Sequence, residues 1–183
     1  MSRPPLIHEY ANSWVDQFDQ LKYLLTQALH DIDFCIEHVG STSVVGLAAK
    51  PIIDIDLIYY TEKDFNLIKY RLIGIGYYHN GDQGIKTREV FKRTPDLAHD
   101  ETLDHDETLD LINHHLYVNP VDGPELSRHL IFRDYLRRHE AARDIYAAMK
   151  YQAAIDANQD RKRYQELKEI RSKKFVQDII DMT

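Results

Sequence analysis

The stretch PIIDIDLIY, residues 51–59, constrains this chain more than any other. A short apolar run rich in isoleucine reads as a buried strand, with Pro51 at its start, where a missing N–H is tolerated. Side chains alternate along a strand. Asp54 and Asp56 therefore share one face, about 7 Å apart, while Ile53, Ile55 and Leu57 face the other way into a core. Two carboxylates on such a strand are costly without a partner. Mg²⁺ is the natural one, because a hard cation takes oxygen ligands and leaves positions for phosphates. Two such ions held by the pair would activate an attacking oxygen and stabilise a leaving one.

What precedes this strand complements it. DFCIEHV (33–39) reads as a second strand that stops at Gly40-Ser41. Glycine lets a backbone approach an anion closely. The N–H groups of the following turn, with the hydroxyls of Ser41, Thr42 and Ser43, would hold phosphate oxygens, and Lys50 adds a positive charge. The intervening residues 41–50 are small and leave room for one or two helical turns. Asp-x-Asp alone is a weak signal and Gly-Ser a weaker one. Their order, strand, Gly-Ser, short helix, acidic strand, is the layout of a nucleotide-transferring site.

The rest of the chain supplies an α+β frame. Trp14, Phe18, Leu21, Leu25 and Ala28 or Leu29 recur at helical spacing over residues 12–30. Thr61 to Asp64 forms a capping arrangement for a helix carrying Phe65, Leu67, Ile68, Leu72 and Ile73, which ends at Gly74 and Gly76. Strands are expected at 77–80, 85–93 and 111–118, with a turn at Asn80-Gly81-Asp82. From Pro124 onward the chain reads as three helices, to about His139, over 140–157 and over 160–181. The first turns Leu126, Leu130, Ile131, Tyr135 and Leu136 inward. The last carries Tyr164, Leu167, Ile170, Phe175 and Ile179 at helical spacing. It also has a basic set, Arg161, Lys162, Arg163, Lys168, Arg171, Lys173 and Lys174, of the kind that is usually solvated. HDETLD occurs twice in tandem at 99–104 and 105–110, which reads as an acidic surface insertion (95–110) rather than a preorganised metal tract.

At 183 residues one domain, 1–183, is expected, its helical part spanning 124–183. The net charge of -7 argues against a protein built to grip a nucleic-acid backbone, but not against a pocket for a small anion. A single cysteine, Cys35, excludes an internal disulfide, and its strand position predicts burial. The opening MSRPPLIHEY has no apolar signal segment, and no stretch approaches the roughly 18 apolar residues of a membrane span. A cytoplasmic protein without a membrane partner is the expectation. The chain has no Gly-x-Ser-x-Gly elbow, Walker A loop, dinucleotide fingerprint or paired-cysteine zinc motif.

EHVGSTSVVGLAAKPIIDIDL (37–57) closely resembles the signature of the GrpB family of bacterial proteins. The resemblance continues through HLYV (115–118), SRHLIFRDYLRRH (127–139) and Tyr146-Ala147, and runs from Trp14 to about Phe175. It implies the nucleotidyltransferase fold of the polymerase-beta superfamily, a mixed sheet flanked by helices with a helical C-terminal third. Carried over by position, Gly40 and Ser41 match that superfamily's phosphate-contacting pair, and Asp54 and Asp56 its metal-binding acids. Val45 stands where a proline is common, and Tyr117 where a second histidine is frequent. In place of a third carboxylate the later strand offers His115, or the doublet His114-His115, as a metal or phosphate ligand. Arg88, Arg93, Arg128 and Arg133 are further candidates for phosphate contact.

The expected function is Mg²⁺-dependent transfer of a nucleoside monophosphate from a nucleoside triphosphate to an acceptor. A non-catalytic nucleotide-binding, small-anion-binding or interaction module on the same fold is the alternative. The expected partner is a nucleoside triphosphate or another small phosphorylated ligand.

Overall fold

The computed structural model of the chain describes residues 3–93, 109 and 112–182. The first apolar stripe forms helix α1 (Ser13–Ala28), which buries Trp14, Phe18, Leu21 and Leu25. Strand β1 (Phe34–Val39) follows and ends where Gly40 takes φ 69° and ψ -172°. Residues 41–50 hold a single 3-10 turn, Ser41–Ser43, at the lower end of the expected one or two turns. Past it the chain leaves helical geometry, with Val44 extended and Ala49 bridging His8. Strand β2 (Ile53–Tyr59) leads into helix α2 (Glu62–Gly74).

The start of α2 shows its cause directly. Thr61 Oγ1 accepts from the Asp64 N–H at 3.2 Å, and Asp64 Oδ2 accepts from the Thr61 N–H at 3.0 Å. This reciprocal box satisfies two donors that a helix end would otherwise leave unpaired. Thr61→Ala is expected to destabilise the protein by about 1 kcal/mol, read as a lower urea midpoint at unchanged slope.

Strands β3 (Tyr77–His79), β4 (Glu89–Arg93) and β5 (His114–Pro120) complete one sheet in the order β1-β2-β5-β4-β3. Among the described residues, only the β2–β5 pairing is parallel. The expected strand at 85–93 is shorter because residues 82–88 turn, with Ile85 N–H bonded to the Asp82 carbonyl and Arg88 N–H to the Ile85 carbonyl. Strand β5 runs further than 118 because Asn119 and Pro120 continue its register beside Ile58 and Tyr59. The acidic duplication lies outside the described residues except for Leu109, which is buried in the main core.

Alternation then divides the sheet into two faces. Ile53, Ile55, Leu57, Leu116 and Val118 pack against α1 and α2 in the main core. His38 joins that side, stacked on Phe18 at 4.4 Å. The opposite face carries Glu37, Val39, Asp54, Asp56, His115, Tyr117 and Asn119 in register with one another. Over this face lie three helices, α3 (Pro124–Arg138), α4 (Glu140–Asp156) and α5 (Arg161–Asp181). They pack together through Val44, Leu47, Leu136, Ala142 and Tyr146, and through Ile7, Ala48, Ala153, Ala154, Ala157 and Tyr164.

One expectation is corrected. Cys35 is exposed, not buried, because β1 is an edge strand and Cys35 alternates onto the face away from the main core; its thiol meets the Tyr60 hydroxyl at 3.0 Å. Ile170 is 73% exposed, because α5 turns Tyr164, Ser172 and Ile179 inward instead. Among the described residues no helix is long and apolar enough to cross a membrane.

Candidate functional site

The bend after β1 touches the acidic strand. A Cβ placed on Gly40 would lie 2.2 Å from Asp54 Oδ2, so only glycine lets the chain turn this close to the carboxylate. Asp54 uses its other oxygen, Oδ1, on His115 Nδ1 at 2.8 Å. The β2–β5 register explains that contact, since it sets Asp54 beside His115 and Asp56 beside Tyr117.

Of the three hydroxyls in the bend, Ser41 alone is left for the cleft. Thr42 is buried and bonds the Ile52 carbonyl at 3.3 Å and His38 Nε2 at 3.1 Å. Ser43 donates to the Gly40 carbonyl at 2.7 Å. Ser41 Oγ accepts from the Lys150 ammonium at 3.0 Å.

Asp56 has a different environment from Asp54. It is fully buried, and both of its oxygens are occupied. Oδ1 accepts from Asn119 Nδ2 at 3.0 Å, and Oδ2 lies 2.8 Å from His129 Nδ1. The far side of that ring, Nε2, is 3.3 Å from Glu125 Oε1. Burial alone would lower the His129 imidazole, but hydrogen bonds and charge from Asp56 and Glu125 outweigh it and raise the group to about 9. His129 is therefore a cation at neutral pH, sandwiched between two carboxylates. Burial in turn pushes the Asp56 carboxyl up, against the pull of His129.

These contacts decide what a divalent ion could use. Asp54 presents one carboxylate oxygen at the bend, a donor of the type Mg²⁺ takes. Asp56 presents none, because the His129 cation already neutralises it. Among the described residues no group of three His, Cys, Asp or Glu side chains is arranged to hold a metal. The donor set does not fit two ions clamped between Asp54 and Asp56.

A cleft of about 560 Å³ opens between the bend and the helical third, bordered by Gly40, Ser41, Asp54, Tyr117 and residues of α3 and α5. Arg88 reaches it from the turn before β4, its guanidinium 4.8 Å above the Tyr117 ring and its buried Nε without a hydrogen-bond partner among the described residues. Arg128 lines the same cleft and is held loosely by Glu125 at 3.6 Å. Arg133 borders it but is committed, pairing with Glu37 at 2.5 Å and Asp134 at 2.7 Å and donating to the His38 carbonyl. Arg93 is not brought to the acids; it bonds the Ile75 carbonyl and lies over Tyr77 near β3. His114 also points elsewhere, sharing a 2.6 Å bond with the Tyr77 hydroxyl. The basic residues of α5 divide, with Lys168 and Lys173 lining the cleft while Arg171 pairs with Asp156 and Lys174 with Asp178.

Sequence reasoning missed His129, Glu125, Asn119 and Lys150. The first two had a signal, since Glu125 and His129 stand four apart and so share one face of α3. Lys150 had none, because a lysine on a helix reads as solvated and its burial beside Tyr146 comes from the seating of α4. Asn119 had none, because it reads as part of a turn.

The family model described as GrpB protein matches residues 4–181. The UPF0157 protein YqkA of Bacillus subtilis is 30% identical over 145 residues, 79% of this chain but only 38% of that protein's length. The glutamate-rich protein GrpB of Alkalihalophilus pseudofirmus is 31% identical over 173 residues, covering 94% of this chain and 91% of that one. Among solved structures, the conserved protein GrpB from Enterococcus faecalis superimposes with TM-score 0.75 at 30% identity over 96% of this chain and 95% of that one. The Cid1 poly(U) polymerase, in a structure with MgGTP bound, shares the fold at TM-score 0.52 and 12% identity over 80% of this chain and 44% of that one.

Proposed function

The chain belongs to the GrpB family, and on that premise we propose that its cleft binds the phosphates of a nucleoside triphosphate. The observation that carries this reading is the meeting of Gly40, Ser41 and Asp54 at the edge of a cleft whose other walls supply Arg88, Arg128, Lys168 and Lys173. Those cations outnumber the carboxylates of the same cleft, Asp54, Glu125 and Glu169. Because Ser41 Oγ accepts from Lys150, its own O–H is left to donate to a phosphate oxygen. Arg88 Nε would gain in a bound anion a partner that none of the described residues gives it. One Mg²⁺ fits beside Asp54, where an ion held by one carboxylate, phosphates and waters would offset phosphate charge.

A calorimetric titration with a panel of nucleoside triphosphates in Mg²⁺ tests the reading. At least one should bind, and Ser41→Ala should weaken it about tenfold, the worth of one hydrogen bond to a charged group. A wild-type chain that binds none of them would overturn it.

Transfer is a second reading, favoured by the free oxygen of Asp54 beside the bend and by the fold shared with Cid1. The oxygen of an acceptor hydroxyl would bond to the α-phosphorus as its proton passes to Asp54 or to solvent, while the bond from the α-phosphorus to the α–β bridging oxygen breaks and pyrophosphate leaves. Pyrophosphate release that disappears in Asp54→Asn would support it. Binding without release from any acceptor would leave the chain a nucleotide-binding protein.

A further inference from the structure

A second, smaller cavity of about 150 Å³ lies behind Ser41, and three lysines converge on it from three segments. Lys50 comes from the residues before β2, Lys150 from α4 and Lys168 from α5. Its size is below the roughly 300–1,000 Å³ of sites that enclose a drug-sized ligand, so it suits a chemical group rather than a nucleoside. Ser41, Asp54 and Lys168 border both this cavity and the larger cleft, so the two adjoin at the bend.

Among the described residues, none of the three lysines makes an ion pair. Lys150 is 2% exposed and holds its ammonium on the Ala48 carbonyl, Ser41 Oγ and the face of the Tyr146 ring at 4.7 Å. Lys50 lies over the Tyr164 ring at 5.3 Å. Burial, and then the charge of Lys168, lower Lys150 to about 7 and Lys50 to about 8. A buried cation with no counter-ion is costly, and clustering like charges adds to the cost. Among the described residues, Asp54 is the one carboxylate lining the cavity. What the cluster lacks is a compact anion.

We propose that Lys50, Lys150 and Lys168 form a pocket for a phosphate dianion. This rests on the nucleotide-binding reading for its setting: a triphosphate whose nucleoside end lies in the larger cleft would pass Ser41 and place its terminal phosphate among the lysines. The same chemistry would accept a free phosphate or pyrophosphate. The pocket would make the protein favour long phosphate chains over a monophosphate.

Calorimetric titration of the full chain separates these sources, using inorganic phosphate, pyrophosphate, a nucleoside monophosphate and the corresponding triphosphate. Lys50→Gln and Lys168→Gln alter half-buried side chains, and Lys150→Met removes a buried charge while keeping the stem's shape. Each should weaken pyrophosphate and triphosphate about tenfold; Lys50→Gln, at a lysine that borders the smaller cavity but not the larger cleft, should leave the monophosphate unchanged; and binding should fall as salt rises. Lysine-dependent binding of inorganic phosphate as tight as that of pyrophosphate would support the pocket with the free anion as its occupant. Lysine-dependent pyrophosphate binding with no triphosphate binding would also leave the pocket standing, and would remove the nucleotide reading. No pyrophosphate binding to the wild type, or pyrophosphate binding by both glutamine variants as tight as the wild type's, would overturn the pocket whatever the nucleotides do.

Discussion

His129→Ala is expected to lower the stability by about 3–5 kcal/mol, because it strands the Asp56 carboxylate at full burial with Asn119 as its remaining partner. For a chain of 183 residues that corresponds to a fall in Tm of roughly 10 °C. The pH dependence identifies the cause. The folded protein holds the His129 proton up to about 9, against 6.5 for an ordinary histidine. The contribution is therefore complete below 6.5 and is lost as pH rises through about 9. Lys50 and Lys150 titrate in the same window in the opposite sense, but they are common to both proteins. The wild type should lose this contribution from pH 6.5 through about 9. A gap between wild type and variant that is small at pH 6.5 would show that His129 does not serve as the counter-ion of Asp56. Scanning calorimetry or urea unfolding across pH reads it.

Gly40→Ala is the second large effect. At φ 69° and ψ -172° the backbone occupies a region open essentially to glycine alone, which costs an alanine about 1–3 kcal/mol. The added methyl would also strike Asp54 Oδ2, 2.2 Å away, and push that carboxylate off His115. A total loss of about 3 kcal/mol or more is expected, together with more than about a tenfold loss of triphosphate affinity. Gly46→Ala is the control. Its φ is also positive, at 81°, but nothing lies within 4 Å of the added carbon. It should cost about 1–2 kcal/mol and leave binding intact. Equal binding losses in the two variants would show that the contact with Asp54 is not what matters.

Much of the sheet was legible because period-two patterning survives burial on one face. Ile53, Ile55 and Leu57 declared the core side of β2, which placed Asp54 and Asp56 on the other side. The contact between Gly40 and Asp54 was foreshadowed by the order of elements, since β1 and β2 pair antiparallel and bring Val39 beside Asp54. What the pattern could not convey was the fate of each carboxylate. Asp54 and Asp56 look equivalent along a strand, yet one faces a cleft and the other is covered by α3, more than seventy positions away in the chain. The difference comes from the packing of that helix, which brings the His129 cation to one acid and not the other. Lys150 escaped for the same reason. A lysine on a helix reads as solvated, and only the seating of α4 against the bend buries it. Arg93 shows the converse error, since its place on a strand near the acids suggested the cleft, while the pairing of β3 with β4 directs it to Ile75 and Tyr77.

What matters most is where an incoming polyphosphate and its ion sit. A crystal structure of the chain with a non-hydrolysable nucleoside triphosphate and Mn²⁺, read by anomalous scattering, measures this directly. The prediction is phosphate density at Ser41 reaching toward Lys150 and Lys168, with a single manganese peak beside Asp54 and His129 still on Asp56. Phosphates bound away from the bend, or two manganese peaks bridging Asp54 and Asp56 with His129 displaced, would contradict it.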